Sequence, residues 1–178
     1  MRSALRRALL VLALPLALSA CGLDKDESDA ADSLSAALSV EEASESARDS
    51  SECVADKWVG QLGTEPLVSA GVLTEDLEAR RPFLGQVQAG TRTVPEEVAD
   101  AYAAAWISCA DFDAIALDRK TEVGGVSAEE LDEYADCLKE IDDDEWRQAL
   151  ADQWSGATES SATVGLDRDL SDCEKQLQ

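Results

Sequence analysis

No histidine occurs among the 178 residues, so the commonest general base and a leading zinc ligand are both missing. The five cysteines include no Cys-x-x-Cys pair, and without that spacing or an imidazole no zinc site is framed. Basic residues are scarce: 15 Lys and Arg stand against 38 Asp and Glu, for a formal net charge of −23. Binding a polyanion needs clustered cations. Lys57, Arg80, Arg81, Arg92, Arg119 and Lys120 are scattered apart from two adjacent pairs, which argues against nucleic acid as a partner. The chain also lacks a phosphate-cradling glycine loop, a serine-hydrolase elbow and a zinc-protease helix. Carboxylate pairs can do acid–base work, yet 38 acids bring such pairs about by number alone. The expectation is a non-catalytic protein with no cofactor and no metal.

Long apolar runs are absent with one exception at the start. Arg2, Arg6 and Arg7 precede eleven apolar residues, 8–18 (ALLVLALPLAL), which lead into Leu18-Ser19-Ala20-Cys21. A membrane-spanning helix needs about 20 apolar residues, so this run is too short to span and has the basic, apolar, small order of an export signal. Leu18-Ser19-Ala20-Cys21 resembles the lipobox of bacterial lipoprotein precursors. The resemblance covers only the first 21 residues. It implies a signal peptide at 1–20, cleavage before Cys21, and acylation of Cys21 as the link to the extracytoplasmic face of the cell membrane. Each buried methylene adds roughly 0.8 kcal/mol of membrane affinity, so two or three chains hold firmly. Arg6-Arg7 leaves the choice between the general and twin-arginine export routes open.

Without residues 1–20 the remaining 158 residues carry 12 basic and 38 acidic side chains, a net −26. That length suits one modest domain with a tail. Residues 21–50 are rich in Ser, Ala, Asp and Glu and hold no aromatic, which reads as a disordered acidic tether reaching roughly 30 Å on average. Within it, Ser39 and Glu42 suit the capping box of a marginal helix through Ala47.

From residue 51 the pattern is helical. Val54, Trp58 and Leu62 recur every four residues before Gly63-Thr64-Glu65-Pro66 interrupts them, and Leu67–Ala70 reads as a further turn. Thr74-Glu75-Asp76-Leu77 reads as a capped helix start that Pro82 ends. The clearest element runs from Pro95 to about Leu117, capped by Thr93 and Glu96, with Val98, Tyr102, Ala105, Cys109, Phe112 and Ala116 along one stripe. A helix from Ser127, boxed by Glu130, buries Leu131, Tyr134, Ala135, Leu138 and Ile141. Another opens at Asp142–Asp144 and carries Trp146, Leu150 and Trp154 towards Gly156. A last one is expected over about Asp167–Leu177. No stretch alternates with period two, so the expected fold is an all-α helical bundle over 51–178.

Residues 94–103 and 126–135 echo one another in Val, Glu, Asp, Tyr and Ala, which suggests two related helical units, 51–120 and 121–178. The alternative is convergent helix-start chemistry. After Cys21, four cysteines remain for an exported chain, and two disulfides are the expectation. Three connectivities exist. Each unit would hold one early and one late cysteine, which favours Cys53 with Cys109 and Cys137 with Cys173.

Two further features bear on ligands. Asp167, Asp169 and Ser171 alternate as in a calcium loop, but Asp172 stands where the sharp-turn glycine belongs and Gln178 where the bidentate glutamate belongs. Of Trp58, Trp106, Trp146 and Trp154, helical spacing makes most core residues, and Trp106, off the main stripe, is the candidate to line a groove. The expected role is a binding or interaction module for an envelope protein or ligand; capture of calcium or a small ligand by the acidic domain is the alternative.

Overall fold

The computed structural model describes residues 22–39, 44–123 and 125–177, with the side chains of 120–123 outside that description. The signal peptide and Cys21 lie outside the described residues, as does part of the helix expected between Ser39 and Ala47. Among the described residues there are nine α-helices and no strand, so the fold is all-α as expected.

The main departure from the sequence reading is at the start. In place of a disordered tether, Lys25–Leu38 forms helix α1, opened by a capping box in which Asp24 Oδ1 accepts from the Glu27 N–H at 2.9 Å and Glu27 Oε2 accepts from the Asp24 N–H at 3.0 Å. Ala30, Ala31 and Leu34 are fully buried on its inner face. Small apolar side chains set every third or fourth residue let α1 lie close against α2 (Glu45–Leu62), whose N-cap is Ser44. Leu23 packs beside Gly60, where an added Cβ would lie 3.3 Å from its Cδ2. The two helices are therefore antiparallel.

After α3 (Thr64–Ser69) the chain makes a tight turn instead of the helix expected at Thr74. The Thr74 N–H donates to Glu78 O (2.9 Å), the Thr74 hydroxyl accepts from the Glu78 N–H (3.1 Å), and Leu77 takes φ 63°. The turn is pinned to α1 by the Ala79 N–H donating to Ser33 Oγ at 2.8 Å. Pro82 does not end a helix; it sits in the first turn of α4 (Arg81–Gln88), where its missing N–H costs nothing.

The long helix expected over 95–117 is broken in two. α5 (Glu96–Cys109) has Pro95 as its N-cap and no side-chain cap, so the Thr93–Glu96 box does not form. Ala110 is extended, and Asp111 restarts the chain as α6 (Phe112–Val123) by accepting the Ala114 N–H at 3.0 Å. α7 (Ala128–Glu140) has the Ser127–Glu130 box, and α8 (Asp143–Ser155) starts at Asp142 and stops at left-handed Gly156, both as read from sequence. α9 begins earlier than expected, at Ser161, runs to Cys173 and tightens into a 3₁₀ turn over Glu174–Leu177.

Two apolar clusters result. The first joins α1–α5 with Ala151 and Trp154 from the end of α8; the second joins Ala116 of α6, α7, α9 and Trp146 and Ala149 from the start of α8. Each has an aromatic centre. Trp58, Tyr102 and Trp154 meet in the first, with Tyr102 stacked on Trp154 at 3.6 Å between centroids. Trp106, Phe112 and Trp146 meet in the second. The clusters do not follow the division at residue 120, because α6 packs with the second and the end of α8 with the first. The disulfides have the favoured connectivity, Cys53–Cys109 joining α2 to α5 and Cys137–Cys173 joining α7 to α9.

Candidate functional site

The antiparallel order of α1, α2 and α5 gives the first cluster two ends. One gathers Leu23, Gly60 and the start of α5, where Gln61, Leu62, Glu96 and Glu97 share a shallow surface. The other gathers the end of α1, the start of α2, the end of α5 and the start of α6. There a cleft of about 260 Å³ opens.

Leu38, Val54, Trp106 and Ile115 give the cleft its apolar surface. Trp106 is the one tryptophan that lines it; Trp58, Trp146 and Trp154 are buried. Trp106 touches both apolar clusters, so the break between α5 and α6 that follows it decides what it faces. A continuous helix would carry α6 away from this position. The Cys53–Cys109 bond holds the same wall, for Cys109 also lines the cleft.

The polar residues on its lining are Ser50, Ser51, Gln88, Tyr102, Asp111 and Asp118, and no Lys or Arg is among the described residues that line it. Asp111 is exposed and well connected: its Oδ1 accepts the Ala114 N–H and its Oδ2 accepts the Ser46 hydroxyl, each at 3.0 Å. Those two bonds, the backbone one foremost, hold its carboxyl below the usual carboxylate range. Tyr102 is 7% exposed, and burial pushes its phenol upward, so it stays neutral. Trp58 donates from Nε1 to Val98 O at 3.1 Å.

The acidic runs singled out in the sequence build helices. Asp167, Asp169 and Ser171 lie within α9, where the Ser171 hydroxyl donates to Asp167 O at 2.9 Å, so their oxygens fan around the helix and do not converge as a loop would make them. Asp142 caps α8 by accepting the Asp144 N–H at 2.9 Å. Among the described residues no group of three or more acids and cysteines is placed to hold a metal ion. Cys137–Cys173 lies in the second cluster, away from the cleft. Sequence reasoning pointed to Trp106 but missed Tyr102, Ser50, Asp111 and Asp118, whose meeting depends on the break at Ala110.

Against known proteins, the chain finds no match among family models, curated proteins or solved structures.

Proposed function

We propose that the protein is a lipid-anchored binding module of the cell envelope, carried on the extracytoplasmic face of the membrane by acyl chains on Cys21. The observation that carries this reading is the sequence Leu18-Ser19-Ala20-Cys21 behind a short basic and apolar leader. Two disulfides support it, because such bonds persist in oxidising compartments outside the cytoplasm. No helix among the described residues is long and apolar enough to cross a membrane.

A binding role is preferred to a catalytic one because the cleft pairs an apolar wall with a few polar groups, as ligand sites do, and brings in no imidazole or thiolate. The Cys109 sulfur at its edge is tied up in a disulfide. Incorporation of labelled fatty acid tests the anchor. Wild type takes up label and Cys21→Ala takes up none, whereas equal labelling of the two overturns the proposal. Turnover of an envelope substrate by the purified protein would overturn the non-catalytic part alone.

A further inference from the structure

Two cations that stand apart in the sequence meet in space across α4. Arg80 is the N-cap of that helix, and after it the chain doubles back so that the Arg92 N–H donates to Gln86 O at 3.1 Å. Both arginines line a hollow of about 580 Å³, together with Ser69, Thr74, Glu78 and Gln86. The hollow shares no lining residue with the cleft. In this acidic chain Lys25, Arg119, Lys139, Arg147, Arg168 and Lys175 each have a carboxylate within 3.5 Å. Arg80 and Arg92 pair with no acid among the described residues, even though Glu78 lies on the same hollow. Arg48, Lys57 and Arg81 also lack such a pair, but they stand outside it.

Arg80 is placed by packing instead of by an acid. Its guanidinium carbon lies 5.8 Å from the Phe83 ring centroid, and Nη1 would be 3.1 Å from a Cβ on Gly71. Gly71, at φ 79°, leaves the room in which the guanidinium rests. Its N–H groups are therefore positioned yet unused by any carboxylate, and a guanidinium presents them as a planar fork that matches one.

We propose that this hollow is a binding site for a hydroxylated organic carboxylate, a sugar acid. Arg80 and Arg92 donate to its carboxylate. Two cations and Glu78 leave the lining with one net positive charge, which a single carboxylate neutralises; a phosphate dianion would exceed it, on a mature chain of net −26. Hydroxyl groups on the ligand suit the rest of the lining. The Ser69 hydroxyl and the Gln86 carboxamide make no hydrogen bond among the described residues. The Thr74 hydroxyl accepts the Glu78 N–H at 3.1 Å and keeps its own proton to donate, while the Glu78 carboxylate accepts from a ligand hydroxyl. The volume falls within the range of ligand pockets.

The inference stands beside the binding role read from the cleft, and its test does not depend on the anchor. The isotope-labelled full protein, taken from whichever fraction of the cell holds it and kept in phosphatidylcholine nanodiscs if acylated, is titrated with D-glucuronate, D-glucose and D-glucose 6-phosphate. Binding is followed by nuclear magnetic resonance at the Arg80 and Arg92 Nε–H groups and the Gly71 amide. Glucuronate is expected to shift these signals saturably, at least tenfold tighter than glucose and tighter than glucose 6-phosphate. Arg80→Gln and Arg92→Gln each weaken binding at least tenfold, while far-ultraviolet circular dichroism stays unchanged because both side chains are exposed. Arg92→Lys, which keeps the charge without the fork, restores only part of it. Equal affinity for glucose overturns the anion assignment, and tighter binding of glucose 6-phosphate overturns the carboxylate. Unchanged affinity in both glutamine variants, or no saturable shift at all, overturns the site and leaves fatty-acid labelling of Cys21 untouched.

Discussion

At the scale of single residues, Gly156 has the most exacting position. It ends α8 at φ 98°, its N–H donates to Asp152 O at 2.9 Å, and an added Cβ would come within 2.8 Å of Thr93 Cγ2. Just before it, Trp154 O accepts the Val94 N–H at 3.0 Å, so this corner ties the end of α8 to the approach to α5. A left-handed residue with a side chain costs about 1–2 kcal/mol, and the contact with Thr93 adds to that. Gly156→Ala is expected to lower stability in urea denaturation by about 2 kcal/mol or more. Combining it with Thr93→Ala removes the Cγ2 and should return part of the loss, the contact part, while leaving the backbone part. If both backgrounds lose the same amount, the contact carries no weight. Gly156 was legible in the sequence as a helix stop because glycine after a periodic run has that one common meaning. Its closeness to Thr93 was not legible, because no local pattern links residues 63 positions apart. The same holds for Tyr102, which reads correctly as part of a buried stripe yet gives no sign that it lines a cleft.

Among the elements, the helices with strong local punctuation were legible: α7 from its Ser127–Glu130 box, and α8 from Asp142 to Gly156. Those whose punctuation has two meanings were misread. Pro82 stops a helix or starts one, and Thr74 caps a helix or a turn; tertiary contacts decide, here the bond from Ala79 to Ser33. α1 was hidden by composition. Its buried face is two alanines and a leucine, too little apolar mass to stand out among acids, although Asp24 and Glu27 already spelled a capping box. Leu34→Ala tests that α1 belongs to the folded domain. Leu34 is fully buried, so truncation should cost about 2–5 kcal/mol, read from the midpoint of chemical unfolding. A residue in a flexible tether would change stability by less than about 0.5 kcal/mol, and that result would detach α1 from the core. The break between α5 and α6 went unread for a related reason: the apolar stripe runs on through Phe112 and Ala116, and only the Asp111 cap, reinforced by Ser46 from α2, interrupts the backbone.

For the whole molecule, charge and anchoring act together. Residues 21–178 carry a net −26, while the ion pairs at hand are exposed, such as Lys139 with Asp113 at 2.8 Å, and exposed pairs contribute little. Screening should therefore relieve more repulsion than attraction, and the melting temperature is expected to rise as salt goes from low to physiological strength; a flat or falling curve would count against it. The same charge orients the protein if Cys21 is acylated. Only Gly22 and Leu23 separate the anchor from the α1 cap, and Leu23 packs on the core, so the domain has almost no slack. Lying flat would press the exposed acids Asp26, Asp29 and Asp32 of α1 towards anionic headgroups, whereas standing upright puts its 14 residues, about 21 Å of helix, between the lipid and the cleft. A fluorophore at Gln61, at the anchored end, should be quenched by headgroup spin labels several-fold more than one at Ser46 beside the cleft, and the contrast should grow with the fraction of anionic lipid. Equal quenching at the two positions would mean that the domain lies flat or tumbles, and the cleft would then open beside the membrane instead of away from it.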